Sequence, residues 1–226
     1  MSFHAVVPAA GIGSRMGSDV PKQYLRLLDR MVIDWSIRAL LSQPGIESVT
    51  VALGKEDRYW PTTQSVADAG VKTVAGGAER SHSVLNALQS LLTHADEDDW
   101  VLVHDAARPC VGAADISRLM RLAAAGTGGL LGVPVHDTMK RTDADGNVIA
   151  TVERNQLWHA QTPQMFPLGK LHQALGDALA AGVAVTDEAS AMEWAGYRPR
   201  MVEGSTSNIK ITRPADLELA GFYLAG

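Results

Sequence analysis

Short apolar runs recur along roughly the first 135 residues, each closed by glycine, proline or aspartate, and stretches of helical spacing separate them. Phe3–Val7, Ser48–Leu53, Val71–Val74, Trp100–Val103 and Gly129–Val135 have the length and the β-branched or apolar content of strands. Ile33, Ile37, Leu40 and Leu41 fall on one helical face, which Pro44-Gly45 ends. Val84, Leu85, Leu88, Leu91 and Leu92 mark a second helix. Strand and helix alternating in this way predict an α/β fold, with a mostly parallel twisted sheet flanked by crossover helices.

Beyond that point the pattern changes. Thr138–Arg154 is polar, and an Asp-Gly turn within Asp143-Ala-Asp-Gly-Asn147 separates two β-prone arms. It reads as a protruding hairpin, a β-arm over about residues 137–157. A two-stranded hairpin is barely stable by itself in water, so this one must lie on something. A second subunit is the economical support; the chain's own domain is the other. Helical patterns follow at Leu168–Ala180 and Asp187–Trp194, then a short strand at Arg200–Val202 and a helix after Pro214. Without repeats or low-complexity linkers, the 226 residues are expected to form one domain with the arm as its excursion.

A hydrophobic share of 46% is ample for one core. The formal net charge of −5 argues against a nucleic-acid binder, so the cations near Arg15–Lys22 and Lys140–Arg141 are local. Cys110 is the one cysteine and forms no internal disulfide, which fits the reducing cytoplasm and a small buried filler. The chain enters an apolar strand almost at once, so no signal peptide is expected, and no apolar run has the length of a membrane span.

Directly after the first strand comes Pro8-Ala-Ala-Gly-Ile-Gly-Ser-Arg-Met16, followed by Val20-Pro-Lys-Gln-Tyr24. Small residues let backbone N–H groups approach phosphate oxygens, and two cations, Arg15 and Lys22, follow to meet the charge. The segment lacks the last glycine of the dinucleotide motif and the Gly-Lys-Ser/Thr of a P-loop. In an open parallel sheet, ligands lie beyond the carboxyl ends of the strands. There the loops after Val7, Val74 and Val103 hold Ala9–Lys22, Gly76–Ser83 and Asp105–Arg108. Asp105, at a strand end, can meet a metal or sugar hydroxyls. Its neighbour His104 points to the other face and reads as packing.

These motifs resemble the signature of nucleoside-triphosphate transferases that activate sugar and polyol phosphates. More narrowly, they are similar to the 2-C-methyl-D-erythritol 4-phosphate cytidylyltransferase family of the non-mevalonate isoprenoid pathway. The likeness continues through Gly76-Gly-Ala-Glu-Arg-Ser-His-Ser83, Val103-His-Asp-Ala-Ala-Arg-Pro109, Asp137-Thr-Met-Lys140, Arg154-Asn, Thr162-Pro-Gln164, Thr186-Asp-Glu-Ala-Ser190 and Asn208-Ile-Lys-Ile-Thr212. The resemblance implies a Rossmann-like sheet, an arm exchanged across a homodimer, and transfer of CMP from CTP to the polyol phosphate with release of pyrophosphate. It makes Arg15 and Lys22 stabilisers of the α-phosphate. Ala9, Ala10, Gly11, Gly77, Arg80, Ser83, Asp105 and Ala106 would bind CTP. Arg154, Lys210, Asp105, Arg108, Thr138, Thr162 and Thr186 would position the acceptor. The family often carries an acidic residue where Ala78 stands; that departure bears on a side-chain contact there, while a backbone contact would survive.

Attack of an already ionised phosphate on the α-phosphorus needs positioning and charge stabilisation more than a base. Mg²⁺ is expected, since it prefers oxygen ligands and bridges substrate phosphates with few protein groups. A ribitol 5-phosphate cytidylyltransferase shares the Gly-Ile-Gly-Ser-Arg-Met and Pro-Lys-Gln pieces. Ala9-Ala10-Gly11 and Arg154-Asn-Gln-Leu-Trp158 look more like the methylerythritol group. A non-catalytic CTP-binding subunit is the reading from another class, and the presence of both Arg15 and Lys22 weighs against it. No Gly-x-Ser-x-Gly elbow and no zinc-ligand spacing occur.

Overall fold

A computed structural model of the chain describes residues 1–11 and 20–226. In chain order the strands and helices begin with β1 (Phe3–Pro8), β2 (Arg26–Leu27), β3 (Arg30–Met31), α1 (Val32–Leu41), β4 (Ile46–Leu53) and β5 (Val71–Ala75). Next are α2 (Arg80–Leu91), β6 (Trp100–Val103), α3 (Ala113–Ala123), β7 (Gly129–Pro134), β8 (Met139–Thr142) and β9 (Val148–Val152). The chain closes with β10 (Trp158–Pro167), α4 (Leu168–Ala180), α5 (Glu188–Trp194), β11 (Arg200–Glu203) and α6 (Pro214–Ala225).

Seven strands form the central sheet in the order β11-β7-β10-β6-β1-β4-β5. β6, β1, β4 and β5 run parallel, and so do β11 and β7. β10 is antiparallel to both its neighbours, β6 and β7. Because strand residues alternate faces, β1 feeds two apolar layers at once. Ala5 and Val7 join Val51, Leu102, Ile33, Ile37, Leu40, Ile116 and Leu119 on the side of α1 and α3. Val6 joins Val101, Val103, Phe166, Val84, Leu88, Leu91, Leu171 and Met192 on the side of α2, α4 and α5. This double burial explains why the central strands read as nearly continuous apolar runs.

Besides the two-residue strands β2 and β3, two elements have no counterpart in the sequence reading. α3 carries Ile116, Leu119 and Ala123 at helical spacing and buries all three completely. β10 contains His159-Ala-Gln-Thr-Pro-Gln, a polar run with a proline inside. Pattern alone does not make a central strand of it. Its pairing with β7 skips from Ala160 to Gln164 while β7 advances from Gly132 to Leu130, which leaves a bulge at residues 161–163. Proline sits within that bulge, where no ladder hydrogen bond is required of it.

A third, smaller cluster joins Leu27, Val32, Ala107, Cys110, Ile211 and Ala220 beneath α6. Cys110 is buried there, and burial pushes its thiol up to about 11, so it is protonated at neutral pH. The arm is as the pattern predicts. β8 and β9 pair only with each other, and Gly146 takes φ +87° in the turn. Asp143 caps that turn, accepting from the backbone N–H groups of Asp145 and Asn147 and from the Asn147 amide. No described helix is long and apolar enough to cross a membrane.

Candidate active site

The carboxyl ends of β1 and β6 and the loop after β5 enclose a cavity of about 220 Å³. Pro8, Ala9, Ala10, Gly11, Lys22, Gln23, Gly77, Arg80, Ser83, Asp105, Ala106 and Lys210 are among its lining residues. The nucleotide-binding positions expected from sequence therefore meet at one place, together with Lys22 and Lys210. Arg15 lies outside the described residues.

Asp105 is the hub. Its Oδ1 accepts from Arg80 Nε at 3.1 Å, and its Oδ2 lies 2.9 Å from Lys210 Nζ and 3.4 Å from Arg108 Nε. Burial alone would raise the carboxyl's pKa. Arg80, Lys210 and Arg108 overcome that and hold it well below the usual carboxylate range. Arg80 is anchored from behind by Glu188, which accepts from Nη1 at 2.6 Å and from Nη2 at 3.1 Å. Glu188 is 2% exposed at the start of α5. Burial disfavours the guanidinium's charge, but Glu188 and Asp105 raise its pKa above the ordinary arginine value. Arg80, Arg108, Lys22 and Lys210 thus stand against Asp105, Glu188 and Glu79, leaving the site with a small positive excess suited to anions.

Each of these side chains is aimed by a neighbouring segment. Lys210 follows Asn208, which is fully buried and donates from Nδ2 to the Thr162 carbonyl at 2.9 Å. Ile211, on its other side, donates its N–H to the Ala107 carbonyl. Arg108 donates from Nη1 to the Asn208 carbonyl at 2.7 Å, which ties the two cationic segments together. Lys22 Nζ donates to the Ile211 carbonyl at 2.8 Å. Gln164 spans the start of α5, donating to Asp187 Oδ2 and accepting from the Ala189 N–H, and so holds Glu188 in place.

Thr162 stands in the β10 bulge directly behind Asp105. Its Oγ1 accepts the Asp105 N–H at 2.9 Å and lies 3.0 Å from His104 Nδ1. His104 Nε2 lies 3.0 Å from the Arg108 carbonyl, which only accepts, so Nε2 carries the proton and Nδ1 accepts from Thr162. Burial lowers the pKa of His104 to about 4, so the ring is neutral in the working range. His104 does more than fill space: it bonds two loops of the site together.

In the glycine-rich loop before α2, Gly76 donates its N–H to the Leu53 carbonyl at 2.7 Å. A Cβ at Gly76 would come within 2.5 Å of the Ala10 side chain, so the two loops approach this closely only with glycine there. Ser83 Oγ accepts from the Gly77 N–H and donates to the Glu79 carbonyl, both at 3.0 Å. It lines the cavity while its hydroxyl shapes the loop. Neither Ser81 nor Ser83 is the N-cap of α2; Glu79 stands at that position.

Three predicted positions lie elsewhere. Thr138 and Arg154 belong to the exposed arm region, where Arg154 Nη1 donates to the His136 carbonyl. Arg154 lines a separate hollow with His136, Gln156 and Trp158. Thr186 is exposed just before α5. The sequence reading gave no role to Glu188, Asn208, Gln164 or Gln23. Each sits inside a quoted motif, but a lone amide or acid carries no periodic signal of what it will touch.

Among the described residues no group of three or more His, Cys, Asp or Glu side chains could hold a metal ion. Asp105 and Glu79 are the cavity's carboxylates. That donor set fits a cation carried mainly by phosphate oxygens and not an all-protein cage.

A family model described as 2-C-methyl-D-erythritol 4-phosphate cytidylyltransferase matches residues 3–226. A curated protein of that name from Aeromonas hydrophila subsp. hydrophila is 56% identical over 220 residues, covering 97% of this chain and 88% of the relative. Its counterpart from Pseudomonas aeruginosa strain PAO1 is 55% identical over 218 residues, covering 96% and 93%. Among solved structures, a crystal structure of 4-diphosphocytidyl-2C-methyl-D-erythritol synthase is similar with a TM-score of 0.86 at 35% identity, covering 99% of each chain. The crystal structure of the Francisella tularensis 2-C-methyl-D-erythritol 4-phosphate cytidylyltransferase gives 0.84 at 36% identity, covering 99% of this chain and 100% of that one.

Proposed function

The chain belongs to the 2-C-methyl-D-erythritol 4-phosphate cytidylyltransferase family, and we propose that the cavity around Asp105 is where its reaction takes place. CMP passes from CTP to 2-C-methyl-D-erythritol 4-phosphate, giving 4-diphosphocytidyl-2-C-methyl-D-erythritol and pyrophosphate. An oxygen of the acceptor's phosphate attacks the α-phosphorus in line. A bond forms from that oxygen to the α-phosphorus, the bond to the bridging α–β oxygen breaks, and pyrophosphate leaves with the electron pair.

One observation carries this reading: Lys22, Arg80 and Lys210 line a cavity at the strand ends, Arg108 joins them at Asp105, and acids or backbone carbonyls hold each in place. Preorganised charge of this kind stabilises a transition state without reorganisation at the moment of reaction. Lys22 and Arg15 serve the α-phosphate, Lys22 as a point charge and Arg15 as a planar fork. Ala9, Ala10, Gly11, Gly77, Arg80, Ser83 and Ala106 form the nucleotide side. Lys210 and Arg108 are assigned to the acceptor side, with Thr162 supporting Asp105 from behind, whereas Thr186 is exposed before α5. Asp105 keeps Arg80, Lys210 and Arg108 at their stations. Asp105 would be the protein group to share a Mg²⁺ carried by the triphosphate, and such an ion would neutralise phosphate charge.

The acceptor side is completed by a second copy of the chain. Met139, Val148, Ile149 and Leu157 are 37%, 61%, 61% and 38% exposed, an apolar surface that a lone hairpin would leave in water. Neither Arg154 nor Thr138 lines the cavity of its own chain. An exchanged arm covers the apolar surface and delivers Arg154 and Thr138 to the neighbour's acceptor site. The cytoplasm is the proposed location, on the strength of a single buried thiol and the need for CTP.

The direct test is pyrophosphate release by the purified chain with Mg²⁺, each of the four nucleoside triphosphates, and either methylerythritol phosphate or ribitol 5-phosphate. Turnover is expected with CTP and methylerythritol phosphate. Tight CTP binding with no pyrophosphate formed would reject the reading.

A further inference from the structure

Between Pro21 and Tyr24, three consecutive side chains reach three different parts of the molecule. Lys22 reaches the Ile211 carbonyl. Tyr24 turns the other way: its hydroxyl donates to Asp57 Oδ2 at 2.6 Å and its ring stacks on Tyr59 with centroids 5.4 Å apart. Asp57 is itself fixed, its Oδ1 accepting the N–H groups of Tyr59 and Trp60 at 3.0 Å each. The short turn is therefore a rigid platform.

From that platform Gln23, 4% exposed, extends to the loop after β1. Its Nε2 donates to the Ala9 carbonyl at 2.9 Å and to the Gly11 carbonyl at 2.8 Å. Both hydrogens of one amide nitrogen are engaged on carbonyls two residues apart, which sets the path of the backbone between them. Gln23 lines the CTP-side cavity and also the adjoining hollow of about 330 Å³ bounded by Gly54, Asp57 and Tyr59. The strip 9–11 is thus a thin wall with a cavity on either side, and the amide is the cross-tie. A glutamine suits the task because a neutral side chain must donate twice; an ionised carboxylate only accepts.

We propose that Gln23 is a positioning residue for CTP: it fixes Ala9–Gly11 relative to Lys22, so that the base end and the α-phosphate end of the nucleotide are indexed to each other. This rests on the reading that the cavity takes CTP. Gln23 acts through the loop and touches no reacting atom.

The test measures the CTP dissociation constant by calorimetry on the full chain, so it does not depend on turnover. Wild-type protein run alongside with methylerythritol phosphate checks the reaction separately. Gln23→Leu removes both donors at similar size and is expected to weaken CTP about tenfold to a hundredfold, by the same factor at every pH. Gln23→Glu is expected to be worse than Gln23→Leu near pH 8 and to recover severalfold toward about pH 5.5, because the protonated carboxyl regains one donor. The KM for methylerythritol phosphate at saturating CTP should stay within about twofold for both. A merely structural role would not make CTP affinity follow the charge of the introduced carboxyl. The proposal is overturned if both variants bind CTP like wild type, if the Gln23→Glu defect does not change with pH, or if the loss falls on the acceptor instead. Should Gln23→Glu fail to fold at high pH by circular dichroism, the selectivity of the Gln23→Leu loss decides alone.

Discussion

The cavity end of the sheet and the β-arm treat their polar groups in opposite ways. Around Asp105 the ionic groups, the exposed Lys210 apart, are buried or half-buried, and each is tied to a partner from a distant segment: Arg80 to Glu188, Arg108 to the Asn208 carbonyl, Lys210 to Asp105. On the arm the polar contacts are local, such as Lys140 to Thr151 and Asn147 to Asp143, and apolar side chains face outward. The ion pairs of the first region are closed within one chain. The second has the surface of something waiting to be covered, because a two-stranded hairpin does not bury enough to stand alone. A buried charge pair also loses heavily if one member is removed, whereas an exposed one contributes little.

The sharpest way to break this comparison is at Lys22. Lys22→Ala is predicted to lower kcat by about two to three orders of magnitude, as when one electrostatic stabiliser is lost, with the fold unchanged by circular dichroism. Near-normal turnover would move the transition-state charge elsewhere. Arg154→Ala probes the other region. It is expected to raise the KM for methylerythritol phosphate about tenfold to a hundredfold while CTP affinity holds. A selective loss of CTP would place the arm's arginine in the wrong subsite.

Mixing the two variants sharpens the point. If the arm serves a neighbouring chain, a heterodimer of Lys22→Ala and Arg154→Ala carries one intact site, and random mixing should restore about a quarter of wild-type activity at low acceptor concentration. No recovery would mean that Arg154 serves its own chain. Placing aspartates at Val148 and Ile149 should shift the species to monomer in sedimentation.

The smallest expected effect concerns His104. Its folded pKa of about 4 lies below the ordinary value of 6.5, so between these values the unfolded state binds the extra proton. Stability on this account is complete above pH 6.5 and falls as pH drops toward 4. From pH 7 to about 5.5 the loss is about 1 kcal/mol, a shift of a few degrees in Tm. His104→Gln should flatten that part of the curve, and an unchanged profile would show that His104 is not the group responsible.

Much of this was legible beforehand because it is local. β1, β4 and β6 showed themselves as buried runs, β5 as a short β-prone one, and the arm as β-prone arms around Asp-Gly. The resemblance to the cytidylyltransferase family, drawn from motif strings, agrees with the family match over residues 3–226. β10 was not legible, since His159–Gln164 is polar and interrupted by Pro163; it is a strand because β6 and β7 flank it on both sides. Glu188 was likewise invisible as a site residue. Nothing in Thr186-Asp-Glu-Ala-Ser190 announces that the glutamate will lie buried against an arginine more than a hundred positions earlier.

From the chain alone came the alternation that makes an α/β sheet, the small residues that open the loop after β1, and the identity of the cations. These follow from side-chain period, backbone freedom and charge, which are properties of short segments. Only the tertiary structure decided which acid restrains which cation, that Thr162 and His104 sit behind Asp105, and that Gln23 ties Ala9 to Gly11. Those pairings join segments far apart in sequence. Their strength comes from exclusion of water by the packed sheet, which no short segment achieves by itself.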